Sequence, residues 1–183
     1  MKRVVNICAG CLNIFVAVAI VVIGITQVGE ANAKQRLSII SDEDRYCLAQ
    51  NVFFEARNQN IDGQVAVAWV TLNRMEDSNF PNNICDVVKQ SKRDSSGNVI
   101  RNKCQFSWYC DGKSDVIPSN AVAQRAWEDA KLITDVVLLD WAKFSASPVA
   151  DATFYHANYV TPYWAKSFER VAVVGDHIFY ENN

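Results

Sequence analysis

Glu55 lies in the stretch Leu48-Ala49-Gln50-Asn51-Val52-Phe53-Phe54-Glu55-Ala56-Arg57, seven residues after Leu48 and three after Val52. On a helix these three positions share one face, so the carboxylate is set on the apolar side. Desolvation among Leu, Val and Phe side chains disfavours the ionised form. A glutamate held protonated near neutral pH is what general acid catalysis requires. The structural alternative is a helix-end glutamate paired with Arg57 or Arg74. Further carboxylates that could assist are Asp62, Glu76, Asp111, Asp115, Asp151 and Asp176. Asp111 stands out as a possible second acid because it follows Gln105-Phe106-Ser107-Trp108, whose hydrogen-bonding groups and rings suit a ligand groove. Tyr155, His156, Asn158, Tyr163 and Trp164 supply candidates for an opposite wall, where aromatic faces suit a flat or sugar-like ligand.

Two other chemistries use the same chain. His156 and His177 are the only histidines, and a zinc site would need both plus a carboxylate. A cysteine nucleophile would need one of Cys47, Cys85, Cys104 or Cys110 beside a histidine.

The elements that must position these residues follow from capping and periodicity. Ser41, with Asp44 three residues on, opens a helix running to about Arg57. After the polar break Asn58-Gln59-Asn60, a second helix spans Gln64 to Glu76 and is read as central and mostly buried. A short helix covers Ile84 to Gln90, and the polar stretch 91–103 forms an exposed loop or hairpin tip. Cys104 to Tyr109 alternates like a strand. Ser119 is read as the cap of a helix from Asn120 to about Asp135, and Val136 to Ser147 is ambiguous between helix and strand. Ala152 to Ala157 is strand-like, and Glu169 to Val174 and His177 to Tyr180 flank the turn Gly175-Asp176 as a hairpin. Helices first and strands later give an α+β class with a small antiparallel β-sheet.

Of the 183 residues, half are hydrophobic, and the formal charge is −2. That balance, with no long basic run, argues against a nucleic-acid partner. Residues 1–33 read as an export signal: Lys2-Arg3, an apolar centre, then Ala31-Asn32-Ala33 before Lys34. Cleavage after Ala33 would leave 34–183 as the catalytic domain. The uncharged run 4–29 also has the length of a membrane-spanning signal anchor, which needs roughly 20 residues. An exported domain retaining Cys47, Cys85, Cys104 and Cys110 is expected to hold two disulfides, in any of three pairings.

Several ordered motifs resemble the SleB-type cell wall hydrolases, the spore-cortex-lytic enzyme family. They are Phe54-Glu55-Ala56-Arg57, Gly63-Gln64-Val65-Ala66-Val67-Ala68, Leu72-Asn73-Arg74, Cys85-Asp86-Val87-Val88, Gln105-Phe106-Ser107-Trp108 with Asp111-Gly112, Phe154-Tyr155-His156-Ala157, Pro162-Tyr163-Trp164 and Gly175 to Tyr180. The resemblance covers about Arg45 to Tyr180. One departure is Asn58, where the family commonly has glycine after Glu-Ala-Arg.

The resemblance implies a lysozyme-like or lytic-transglycosylase-like helical domain with a small antiparallel sheet. It implies cleavage of the MurNAc–GlcNAc bond of peptidoglycan, with Glu55 as general acid and base and anhydromuramoyl products. Substrate binding falls to Gln105, Phe106, Ser107, Trp108, Tyr155, His156, Tyr163 and Trp164. The expected partner is the peptidoglycan glycan strand, bound by a monomer without cofactor, metal or nucleic acid and touching membrane only through the N-terminal segment. The expected setting is exported, in the periplasm or cell wall, in an endolysin or wall-remodelling role. The competing readings are a metal-dependent N-acetylmuramoyl amidase using His156 and His177, and a non-catalytic peptidoglycan-binding module.

Overall fold

A computed structural model describes residues 29–143 and 145–182. Helix α1 (Asp42–Ala56) begins where the cap pattern places it: Ser41 accepts from the Asp44 amide while the Asp44 side chain returns to the Ser41 backbone. Leu48, Val52 and Phe53 turn inward and are essentially inaccessible. Helix α2 (Ile61–Glu76) is capped by Asn60, starts three residues earlier than expected, and buries ten of its residues, which makes it the central helix. Helix α3 (Ile84–Val88) is short and capped by Asn83.

Helix α4 (Ala121–Ala142) corrects two expectations. Its cap is Asn120, not Ser119, with the side chain accepting from the Ala123 amide. It also continues through the stretch that reads ambiguously in sequence. The β-branched run around Val136 lowers local helix propensity. However, Ile133, Val137, Leu138 and Trp141 keep helical spacing and are buried, so packing decides the outcome. These four helices pack around one core, α1 touching α2, α3 and α4.

A hairpin of β1 (Ser91–Arg93) and β2 (Val99–Cys104) projects from this body. The expected strand over Cys104 to Tyr109 is instead a 3-10 turn at Ser107–Cys110. The Cys104–Cys110 disulfide closes this segment on itself. Alternation survives in burial: Phe106 and Trp108 point inward, Gln105 and Ser107 outward. The second disulfide, Cys47–Cys85, ties α1 to α3. All four of these thiols are therefore consumed, which removes the cysteine-nucleophile reading.

The second sheet has strand order β3-β5-β4, all antiparallel, from β3 (Phe154–Ala157), β4 (Glu169–Val174) and β5 (His177–Glu181). The turn between β4 and β5 uses Gly175 at φ +55°, where a Cβ would also stand 2.6 Å from Gln59 Oε1. Gln59 grips this turn from the α1–α2 break: its Oε1 accepts from the Asp176 amide at 3.0 Å and its Nε2 donates to Asp176 Oδ2 at 3.2 Å.

Residues 29–38 are helical. Ala33 is buried, and the Arg36 guanidinium lies 3.9 Å from the Trp141 ring centroid and 2.8 Å from Glu76 Oε1. The expected cut after Ala33 falls inside this docked helix. Most of the apolar run 4–29 lies outside the described residues. Among the described residues, no helix is long and apolar enough to cross a membrane.

Candidate active site

Glu55 occupies the last turn of α1, partly buried, on the floor of a cleft of about 320 Å3. Ser107, Trp108, Asp111 and Asp115 line the same cleft. Burial pushes the Glu55 carboxyl above the usual glutamate value of 4.5, against the Tyr155 hydrogen bond and the Arg74 charge, which both pull it down. The Tyr155 hydroxyl donates to Glu55 Oε2 at 2.9 Å. Burial and the Glu55 charge hold the Tyr155 hydroxyl well above its ordinary pKa, so it stays a proton-bearing donor.

Arg74, on α2, is 3% exposed, and its Nε donates to the Thr153 carbonyl at 2.6 Å. Its guanidinium carbon sits 5.3, 5.0 and 5.5 Å from the ring centroids of Phe80, Phe106 and Phe154. Burial lowers its pKa to about 10, with Tyr155 and Glu55 acting the other way. A cation among three rings is stabilised without forming a close ion pair that would quench Glu55.

The two aspartates of the cleft differ. Asp111 is held below the usual carboxylate range, first by the Lys113 amide on its Oδ1 at 2.8 Å, and so is ionised at neutral pH. Asp115 is pushed up, mainly by burial and then by the Asp111 charge. Of the other carboxylates considered, Glu76 accepts from Trp141 and Arg36, and Asp176 is held by Gln59.

The structure divides the expected substrate-binding residues. Ser107 and Trp108 lie in the cleft with Glu55. The Trp108 ring stacks on Phe54 with centroids 4.7 Å apart, and its Nε1 donates to Asn51 Oδ1 at 3.0 Å. Asn51, itself buried, was not legible as a site residue. It fixes the indole that walls the cleft, and donates in turn to Thr71. Phe106 is 2% exposed and belongs to the core under Arg74, not to a groove surface. Tyr155 is not an outer wall but a direct partner of Glu55. Gln105, Tyr163 and Trp164 line a different hollow of about 660 Å3. His156 bonds to the Ala157 carbonyl and the Tyr180 hydroxyl and stacks on the Tyr180 ring.

The sheet register also corrects the metal reading. His156 is opposite Ile178, and Ala157 is opposite His177. Alternation therefore puts the two imidazoles on opposite faces of the sheet, where they cannot share an ion. Burial lowers the pKa of His177, which rests its ring edge on Tyr155 at 5.1 Å between centroids. Among the described residues, the one acid, cysteine and histidine cluster with metal-like spacing is Glu43, Cys47 and Cys85, and its two sulfurs are joined to each other.

Comparison with known proteins gives a consistent picture. The family described as Cell Wall Hydrolase matches residues 58–180, beginning just after Glu55. A spore cortex-lytic enzyme of Halalkalibacterium halodurans is 31% identical over 154 residues, covering 82% of this chain and 39% of that protein. One from Bacillus subtilis is 30% identical over 142 residues, covering 77% and 38%. The chain thus spans about two fifths of the length of the curated relatives it matches. The catalytic domain of the Bacillus cereus SleB protein aligns with TM-score 0.52 and 26% identity, over 78% of this chain and 92% of that one. The catalytic domain of the germination-specific lytic transglycosylase SleB from Bacillus anthracis aligns with TM-score 0.52 and 27% identity, over 77% and 96%.

Proposed function

Because the chain belongs to the SleB-type cell wall hydrolase family, we propose that it degrades peptidoglycan by cleaving the MurNAc–GlcNAc bond, with Glu55 as the proton-transferring group. One observation carries this reading. Glu55 is an open-cleft carboxyl whose proton is held by burial, yet its anion has a donor in Tyr155 and a fixed cation in Arg74. Such a group gives up a proton to the leaving glycosidic oxygen and is stabilised once it has done so.

In the transglycosylase form, the N-acetyl oxygen of the muramoyl residue attacks the anomeric carbon as the bond to the leaving oxygen breaks. The Glu55 carboxylate then takes the proton of the muramoyl 6-hydroxyl, whose oxygen bonds to the anomeric carbon and displaces the acetyl oxygen. The product is an anhydromuramoyl end, and Glu55 is again protonated. We place this activity outside the cytoplasm, where its substrate lies.

A second reading is favoured by Asp111. An ionised carboxylate in the same cleft as one whose pKa burial raises is the pairing that hydrolysing glycosidases use. Mass analysis of fragments released from purified peptidoglycan separates the two. Anhydromuramoyl ends identify transglycosylation, reducing ends identify hydrolysis, and release of neither overturns the assignment. The variant Glu55→Gln, which keeps the side-chain shape, should release no glycan fragment of either kind.

A further inference from the structure

The hollow lined by Gln105, Tyr163 and Trp164 has a charge unlike that of the Glu55 cleft. Its lining contains Lys92 and Lys103 and no acidic side chain. The cleft, by contrast, holds three acids, Glu55, Asp111 and Asp115, against two bases, Arg57 and Lys113. Ser91 is registered against Cys104, so the next residues of the two strands, Lys92 and Lys103, enter the irregular part of the hairpin as neighbours. Like charges facing each other across a ladder destabilise it. Neither ammonium has an ion-pair partner among the described residues. In the same lining, Gln90 Oε1 and Ser91 Oγ are buried without a hydrogen-bond partner. The hollow is also lined by Tyr163, 92% exposed, and by Trp164, which is held edge-on against His156 and Tyr180.

An acid-free pair of cations, an unmet acceptor, an unmet hydroxyl and an exposed ring describe a site for an anionic, amide-bearing chain. A neutral sugar has no use for the two charges. The hollow also adjoins the chemistry. Gln105 in the hollow and Ser107 in the cleft are separated only by buried Phe106, so their backbones are at most ~7 Å apart. A muramoyl unit seated over Glu55 would therefore have its peptide branch within reach of Lys92 and Lys103.

We propose that this hollow binds the acidic stem peptide of peptidoglycan, with Lys92 and Lys103 as the carboxylate-recognising pair and Tyr163 and Trp164 as its apolar wall. The proposal rests on peptidoglycan being the substrate but not on how its glycan bond is broken. Charge-assisted contacts to a carboxylate are the stronger class of hydrogen bond, and a flexible strand gains both affinity and register from them.

The test compares the full chain with its Lys92→Gln/Lys103→Gln double variant on two substrates: intact peptidoglycan, and glycan strands freed of their peptides. The expected result is a loss of about tenfold in kcat/KM, equivalent to roughly 1.4 kcal/mol, confined to the peptide-bearing substrate and shrinking with added salt. Equal loss on both substrates, or none on either, overturns the proposal. Binding of soluble stem peptide to the Glu55→Gln chain, followed by titration, supplies a readout independent of cleavage. Saturable binding that the lysine variant lacks is expected even if no glycan bond is cut. Absence of binding counts against the site whatever the enzyme does to the glycan. Equal displacement by inorganic phosphate would show a general anion site and overturn the peptide assignment.

Discussion

The Tyr155 hydroxyl donates to Glu55 Oε2 at 2.9 Å, joining β3 to the end of α1 across a sequence separation of 100 residues. The bond opposes burial: it favours the ionised carboxylate, while desolvation favours the acid. Tyr155→Phe keeps the ring against Phe179 and His177 and removes only the donor. The carboxyl pKa should rise further, moving the alkaline limb of the activity profile to higher pH. Turnover should fall about tenfold, the scale of one net hydrogen bond lost from the anion formed in the reaction. A pH–rate profile of the variant checks both, and an unmoved limb would show that the tyrosine does not act on Glu55.

Glu55 should also cost the fold stability at neutral pH. Its folded-state pKa is raised above 4.5, so the native state prefers the protonated form. Below the unfolded pKa that preference is met in full, and it is lost as pH rises through the folded value. Glu55→Gln has no charge to bury and still offers Tyr155 an acceptor. Its melting temperature should match that of the parent near pH ~4 and exceed it by a few degrees near pH ~7. A variant that melts below its parent at neutral pH would contradict the buried-acid assignment.

The parts of the molecule legible in sequence are those specified locally. Ser41 with Asp44, the Leu48–Val52–Glu55 face and the Gly175-Asp176 turn each depend on residues a few positions apart, and each appears as expected. Family membership was legible for a related reason, because its motifs are short and ordered. What was not legible depends on long-range closure. Tyr155 read as a groove wall because nothing in its strand names Glu55 as its partner. The setting of Arg74 draws rings from three separate segments. Cys104 to Tyr109 showed the right inward and outward residues with the wrong backbone, since alternation records burial, and the six-residue disulfide loop imposes the turn.

Arg74 tests how far that long-range packing supports the site. Arg74→Ala would strand the Thr153 carbonyl, now met at 2.6 Å, and open a void among Phe80, Phe106 and Phe154. A loss of about 3 kcal/mol is expected. Arg74→Lys keeps the charge but loses the planar face that meets the rings, so its cost should be smaller but distinct. Because the Arg74 charge lowers the Glu55 pKa, the alanine variant should also shift the alkaline limb of activity upward. Urea unfolding gives the first quantity and the pH profile the second. An alanine variant as stable as the parent would mean that this packing contributes little to the fold.

The two disulfides should separate stability from activity. Cys47–Cys85 closes a sequence separation of 38 residues and Cys104–Cys110 one of 6. Loop-closure entropy assigns about 4 kcal/mol to the first and about 2 kcal/mol to the second. The larger contribution belongs to the bond that does not line the cleft and joins α1 to α3. The smaller one frames the segment that sets Ser107 and Trp108 beside Glu55. The double variant Cys47→Ser/Cys85→Ser should therefore lose more melting temperature, and Cys104→Ser/Cys110→Ser more turnover at a temperature where both remain folded. Thiol titration of the purified parent should find none of the four reactive before reduction. If the short-loop variant melts lower, or cleaves as fast as the parent, then the 3-10 turn holds its shape without the bond, and the cleft geometry is set by Trp108 and Asn51 alone.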